Sequence, residues 1–256
     1  MIRRHILTGA LALAAAPTFL GGCGSEAERR VFPVEVSATL PGGANERGWT
    51  VTVESAHVSV GPVRFFEGHV LLSSQRMPRF DWYSLIGGTA HAHPGHYTPG
   101  DALGEVLTTS TVDLLAGATL GDASAVTGEY GSLELTLAKP TATTDAQGVL
   151  NGHAVRVRGT ARNTDGGTVR FDAVVDLPAP VAGVRFEKSL GMEAGRVRIA
   201  MDLGKWLGRI DFATATDPDA DGVHTFPATS QAQNALVRGV EDTTAYVVTW
   251  VEGAAR

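Results

Sequence analysis

The sequence predicts a mainly β protein, an antiparallel β-sandwich with a few short edge helices, on three observations. Apolar and polar residues alternate with period two along most of the chain. Glycine is abundant, at 31 residues of 256, and clusters of Asn, Asp and Gly separate the alternating runs, as tight turns require. Helical spacing is confined to short stretches near the end of the chain.

Each element follows from its pattern. Val34, Val36, Ala38 and Leu40 alternate as a first strand. Trp49, Val51, Val53 and Ser55 begin a second, and the same alternation carried forward places His57, Ser59 and Gly61 on their face. Leu133, Leu135 and Leu137 mark another. The segments His153 to Ala161 and Thr168 to Val175 flank Asn163-Thr164-Asp165-Gly166-Gly167, residues that tolerate positive φ, so they form a hairpin. Val197, Ile199 and Met201 make a further strand, and Tyr246, Val248 and Trp250 a last one. Between these two, Leu203, Trp206, Leu207 and Ile210 recur at helical spacing. So do Ala232, Leu236 and Val240, with Ser230 placed to cap their helix. No internal repeat and no linker divides residues 31–256, which are expected to form one β-sandwich domain.

The first thirty residues have a different character. Met1-Ile2-Arg3-Arg4-His5 is basic, and an apolar run follows from Ile6 to Leu20, shorter than the roughly 20 residues a membrane-spanning helix needs. A basic head, an apolar middle and small residues before a cut are the layout of an export signal. The run meets Leu20-Gly21-Gly22-Cys23, which resembles the bacterial lipobox. That resemblance implies a signal peptide over residues 1–22, cleavage before Cys23, and lipid attached to Cys23. Residues 23–30 then read as a polar tether. Cys23 is the only cysteine, so it has no partner for an internal disulfide, and lipidation accounts for it. Gly24 resembles the outer-membrane default of lipoproteins in hosts with two membranes. The expected location is the cell envelope, anchored in the lipid bilayer and facing the periplasm or the cell surface.

Removing residues 1–22 takes away Arg3 and Arg4, so the formal charge changes from −6 to −6 − 2 = −8. An acidic chain without a basic run is a poor partner for nucleic acid.

Within the domain, Val112-Asp113-Leu114-Leu115, Gly128-Glu129-Tyr130-Gly131-Ser132-Leu133 and Met201-Asp202-Leu203 resemble secreted β-sandwich lipoprotein domains, including the periplasmic copper-binding proteins encoded beside methanobactin genes. The likeness lies in strand and turn layout over about half the chain and transfers no functional residue.

Chemistry has few places to sit. The chain has no Gly-x-Ser-x-Gly, no His-Glu-x-x-His, no phosphate-binding loop ending in Lys-Ser/Thr and no Cys-x-x-Cys, so no enzyme is indicated. A hydrolase using dispersed carboxylates such as Asp101 and Glu105, or Asp217 and Asp219, ranks last. Two clusters stand out. In His91-Ala92-His93-Pro94-Gly95-His96-Tyr97, an extended backbone aims His91 and His93 to one face, and Pro94-Gly95 permits a reversal that returns His96 towards them. Three neutral imidazoles suit copper, zinc or nickel, with Asp101, Glu105, His57 or Tyr97 available to complete the shell. The alternative is a turn whose histidines serve no metal. In Asp217-Pro218-Asp219-Ala220-Asp221-Gly222, alternate carboxylates followed by Gly resemble the first half of an EF-hand loop and would hold calcium through Asp217, Asp219 and Asp221, the Val223 carbonyl and a water near Thr225. Position twelve is Ala228, so the bidentate Glu is missing, and a bare acidic turn is the competing reading. His57 and His69 lie in strand-like segments as ordinary polar residues, and Trp82 and Tyr83 suit core packing better than a ligand surface. The leading expectation is a lipid-anchored protein binding a transition metal through His91, His93 and His96. Its rival is a structural or adhesive module that binds protein or glycan without metal.

Overall fold

A computed structural model of the chain describes residues 27–70 and 97–253. Cys23, Trp82, Tyr83 and the three histidines at 91, 93 and 96 lie outside the described residues. The described chain forms β1 (Arg29–Thr39), β2 (Trp49–Phe66), β3 (Ala102–Val106), β4 (Ser110–Asp113), β5 (Ala118–Val126) and β6 (Gly128–Leu137). It continues with β7 (Val155–Asn163), β8 (Thr168–Val175), β9 (Val181–Leu190), β10 (Gly195–Asp202), α1 (Leu203–Leu207), α2 (Gln231–Glu241) and β11 (Tyr246–Glu252).

The protein is mainly β, as its alternation requires, but the sheet is mixed. Its strand order is β11-β10-β1-β5-β3-β2-β6-β9, with β4 and β7 also on β2, and β8 on β7. The expectation of a purely antiparallel sheet fails at β1 and β10, which pair in parallel from Val34 opposite Val197 to Thr39 opposite Asp202. Alternation specifies which face a residue occupies and is silent on strand direction. A parallel pair needs only a long connection, which the chain between β1 and β10 supplies. The sheet curls until β9, at one end of the order, lies against β11 at the other.

β2 is the hub. Its first part, Trp49 to Val58, pairs with β7, and its last part, Val60 to Phe66, pairs with β6 and β3. Gly61 stands where the partner changes, at φ +132°, and a Cβ there would overlap the Thr108 carbonyl, so only glycine fits. A register shift between Val53 and Ser55 corrects the simple alternation expected for this strand. Glu54 is the extra residue, and beyond it Ala56, Val58 and Val60 supply the core while His57 turns to the other face.

The inward positions form one contiguous core. Inside the curl, Phe32 meets Phe65 and Trp250 edge-on at centroid distances of 5.5 and 5.6 Å, and Tyr130 and Phe186 complete the group. Burial pushes the Tyr130 hydroxyl up to about 12, against the opposing effects of the Arg30 charge and the hydrogen bond to Val126. Trp49, Phe171, Phe212 and Phe226 form a second aromatic group. The helices appear near where their spacing placed them, but α1 ends at Leu207 and leaves Ile210 beyond it, buried in the core. Ser230 caps α2 by accepting from the Gln233 amide at 3.0 Å, and α2 buries Ala232, Ala235, Leu236 and Val240. The hairpin of β7 and β8 is also as expected, with Asn163 Oδ1 accepting from the Asp165 and Gly167 amides at 3.1 and 2.6 Å and Gly166 at φ +86°.

Candidate functional site

β2 and β3 are antiparallel neighbours, and the chain joining them contains the histidine cluster. Beyond the strands the pairing continues into a stem, where the Glu67 amide donates to Asp101 at 3.1 Å and the Gly68 amide to Pro99 at 2.8 Å. Ser132 on β6 fastens this stem to the sheet. Its fully buried hydroxyl donates to the Gly68 carbonyl at 2.5 Å and lies 2.8 Å from the Tyr97 hydroxyl. Gly131 permits the approach, since a Cβ there would sit 2.5 Å from the Glu67 carbonyl and 2.7 Å from the Gly68 backbone. The Tyr97 ring covers Gly183 on β9, where a Cβ would lie 3.3 Å from the ring and φ is +76°. Burial pushes the Tyr97 hydroxyl up, and its bond to Ser132 offsets part of that.

The stem therefore holds His69 and Tyr97, which flank the stretch carrying His91, His93 and His96, at one place on the rim beside β6 and β9. His69 Nδ1 lies 4.0 Å from Glu187 Oε1, both side chains partly exposed. Arg185 donates to the other Glu187 oxygen at 2.6 Å and holds that carboxyl below its ordinary range. An imidazole and a carboxylate thus stand together at the stem, one of them held in its charged form.

The proposed auxiliary ligands divide. Asp101 and Tyr97 belong to the stem, though Tyr97 already bonds Ser132. Glu105 faces Arg64 at 3.7 Å. His57 sits nine residues back along β2, roughly 30 Å at a strand rise of 3.3 Å per residue, and lines a separate cleft of about 320 Å³ with Asp113 and Asp145. Glu187 was missed because nothing in the sequence links it to residue 69; only the pairing of β6 with β9 brings it there.

The Asp217–Gly222 segment is a turn held from within. The Asp219 amide donates to the Val223 carbonyl at 2.9 Å, and Asp219 Oδ1 accepts from the Asp221 and Val223 amides, each at 2.9 Å. Gly222 takes φ +74°, and Arg170 donates to the Asp221 carbonyl at 3.2 Å. The Val223 carbonyl considered as a calcium ligand accepts the Asp219 amide. Among the described residues, no three His, Cys, Asp or Glu side chains are grouped closely enough to hold a metal ion.

A third polar group had no sequence signal. His153 Nδ1 and Lys139 Nζ each lie 3.0 Å from Asp176 Oδ2, and the Ala154 amide donates to Oδ1 at 2.9 Å. Burial raises the Asp176 carboxyl, but the Ala154 amide, Lys139 and His153 together outweigh it and hold the group below its ordinary value. These partners come from the ends of three strands and meet only in the fold. No helix among the described residues is long and apolar enough to cross a membrane. No protein-family model matches the chain, and comparison with curated proteins and with solved structures likewise finds no match.

Proposed function

We propose that this chain is a cell-envelope lipoprotein, anchored through Cys23, that binds copper or zinc at the β2–β3 stem through His91, His93 and His96. One observation carries the metal reading. The closed stem fixes both ends of the histidine-bearing stretch at the same point, beside His69 and Glu187, which add an imidazole and an ionised carboxylate. Closing both ends at one point lowers the entropy of gathering ligands from the stretch between them. Neutral imidazoles with one carboxylate suit a borderline divalent ion. The curled sheet is taken as the β-sandwich of such a domain, with the core between its folded halves. The anchor reading rests on the export-signal layout, the lipobox resemblance and the single cysteine.

The test is loading of the full-length chain with copper(II) or zinc(II) and measurement of retained metal after dialysis across a pH series. Retention of about one ion per chain near neutrality is expected. It falls as the pH drops below about 6, because protonated imidazole does not coordinate. No retained metal at neutral pH, or retention that does not change through that range, overturns the reading.

A further inference from the structure

Towards the other end of β2 from the stem, the outward face of β2, β7 and β8 carries a basic cluster. Arg158 and Arg162 are exposed on β7, and Arg170 is exposed on β8 opposite Thr160. In that register Arg170 is diagonal to both β7 arginines, at about 7–8 Å between backbones, so three arginines occupy the positions around Thr160. Two carboxylates, Asp172 and Glu54, share this face with Arg156, Arg158, Arg162 and Arg170, so arginines outnumber them. Asp172 accepts two bonds from Arg156, at 2.9 and 2.6 Å, and lies 3.7 Å from Arg158. Glu54 accepts from the Thr160 hydroxyl at 2.9 Å. Among the described residues neither Arg162 nor Arg170 has a carboxylate within 4.0 Å, although Arg170 donates to the Asp221 backbone carbonyl at 3.2 Å. Outward strand positions add nothing to the core, and gathering like charges there costs stability. In a chain whose net charge is negative, this cluster calls for a negatively charged partner.

We propose that this face binds an acidic polysaccharide bearing carboxylate groups. The arginine fork matches a carboxylate with two parallel hydrogen bonds. Hydroxyls for the sugar ring stand beside it, Thr50 opposite Arg162 on the β2 side, Thr52 opposite Thr160, and Thr168 opposite Arg162 on the β8 side. A protein partner would seek apolar anchors. Among the described residues, the exposed large apolar side chains are Val31, Leu40, Leu107, Leu115, Met192 and Val247, none of them on β2, β7 or β8. Strand addition at the β8 edge is closed as well. His224 pairs with the backbones of Arg170 and Asp172 at 2.8 and 2.9 Å, and Gln233 donates to the Val174 carbonyl at 3.0 Å. The open sheet face is what remains, and the inference stands independently of the metal reading.

The experiment measures binding of the full-length chain to polygalacturonate, with dextran and poly-L-glutamate as controls. Binding is expected for polygalacturonate alone, weakening as salt rises from about 50 to 300 mM. Arg162→Glu/Arg170→Glu is expected to weaken it at least about tenfold, the loss of one to two charge-assisted hydrogen bonds. Arg209→Glu/Arg238→Glu makes the same change in net charge beside the helices and is expected to leave binding unchanged. Arg162→Gln/Arg170→Gln, with an unchanged melting temperature, separates lost contacts from a lost fold. No binding to polygalacturonate, equal weakening in both charge-reversed variants, or equal binding to poly-L-glutamate or dextran overturns the proposal.

Discussion

The β2–β3 stem and the Asp217–Gly222 turn both attract attention as metal sites by composition, yet they are built in opposite ways. At the stem, the backbone is satisfied by backbone, Gly68 by Pro99 and Glu67 by Asp101, and the hydroxyl of Ser132 fastens it to the sheet. The His69 and Glu187 side chains are left near one another without being needed to hold the chain. In the acidic turn, the suggestive side chain is itself the fastening, because Asp219 Oδ1 accepts two amides of the turn. A residue can serve a ligand freely only where the local backbone does not depend on it.

The largest difference between the two regions should appear in their glycines. At Gly131 a Cβ meets the backbone of Glu67 and Gly68, atoms that cannot swing aside. Gly131→Ala should cost about 3 kcal/mol, the upper range for overpacking, and lower the melting temperature by several degrees. At Gly222 a Cβ meets nothing within 4 Å, so Gly222→Ala carries only the left-handed backbone penalty of about 1 kcal/mol. Melting curves of the two variants make the comparison. Equal losses would mean that the stem is no tighter than the turn.

A smaller effect tests the same lesson at Asp176, whose carboxylate is committed to Ala154, Lys139 and His153. Its depressed pKa means that its contribution is complete above the unfolded value near 3.9 and is lost as the pH falls through the lower folded value. Asp176→Asn keeps an acceptor for Ala154 but loses the charge. The cost should be about 1 kcal/mol or less near neutrality, since the side chain is 29% exposed and screened, and should shrink as the pH falls through the lowered folded-state value. Denaturant midpoints of the two proteins at several pH values check this. A difference that grows on acidification would reverse the assignment.

Much of the fold was legible in the sequence because burial imposes a period. Val34 and Val36, the β7–β8 hairpin, and α2 with its Ser230 cap follow directly from spacing and turn chemistry. Three features were not legible, each because it depends on contacts distant in sequence. The bulge at Glu54 changes the face of His57, but a single extra residue leaves a pattern that still looks alternating. The parallel pairing of β1 with β10 has no local trace. Glu187 joins His69 only through strand pairing. The histidine cluster itself was plain in the sequence, whereas the closing of the stem between residues 67 and 101 depends on Gly68, Gly131 and Ser132, residues with no ligand character.

The most direct measurement compares two triple variants loaded identically with copper(II) or zinc(II) and assayed for retained metal. One is His91→Ala/His93→Ala/His96→Ala and the other Asp217→Asn/Asp219→Asn/Asp221→Asn. If the stem is the metal site, the second variant retains as much metal as the unmodified chain and the first retains none. Equal retention in the two variants, or loss confined to the acidic-turn variant, would contradict it.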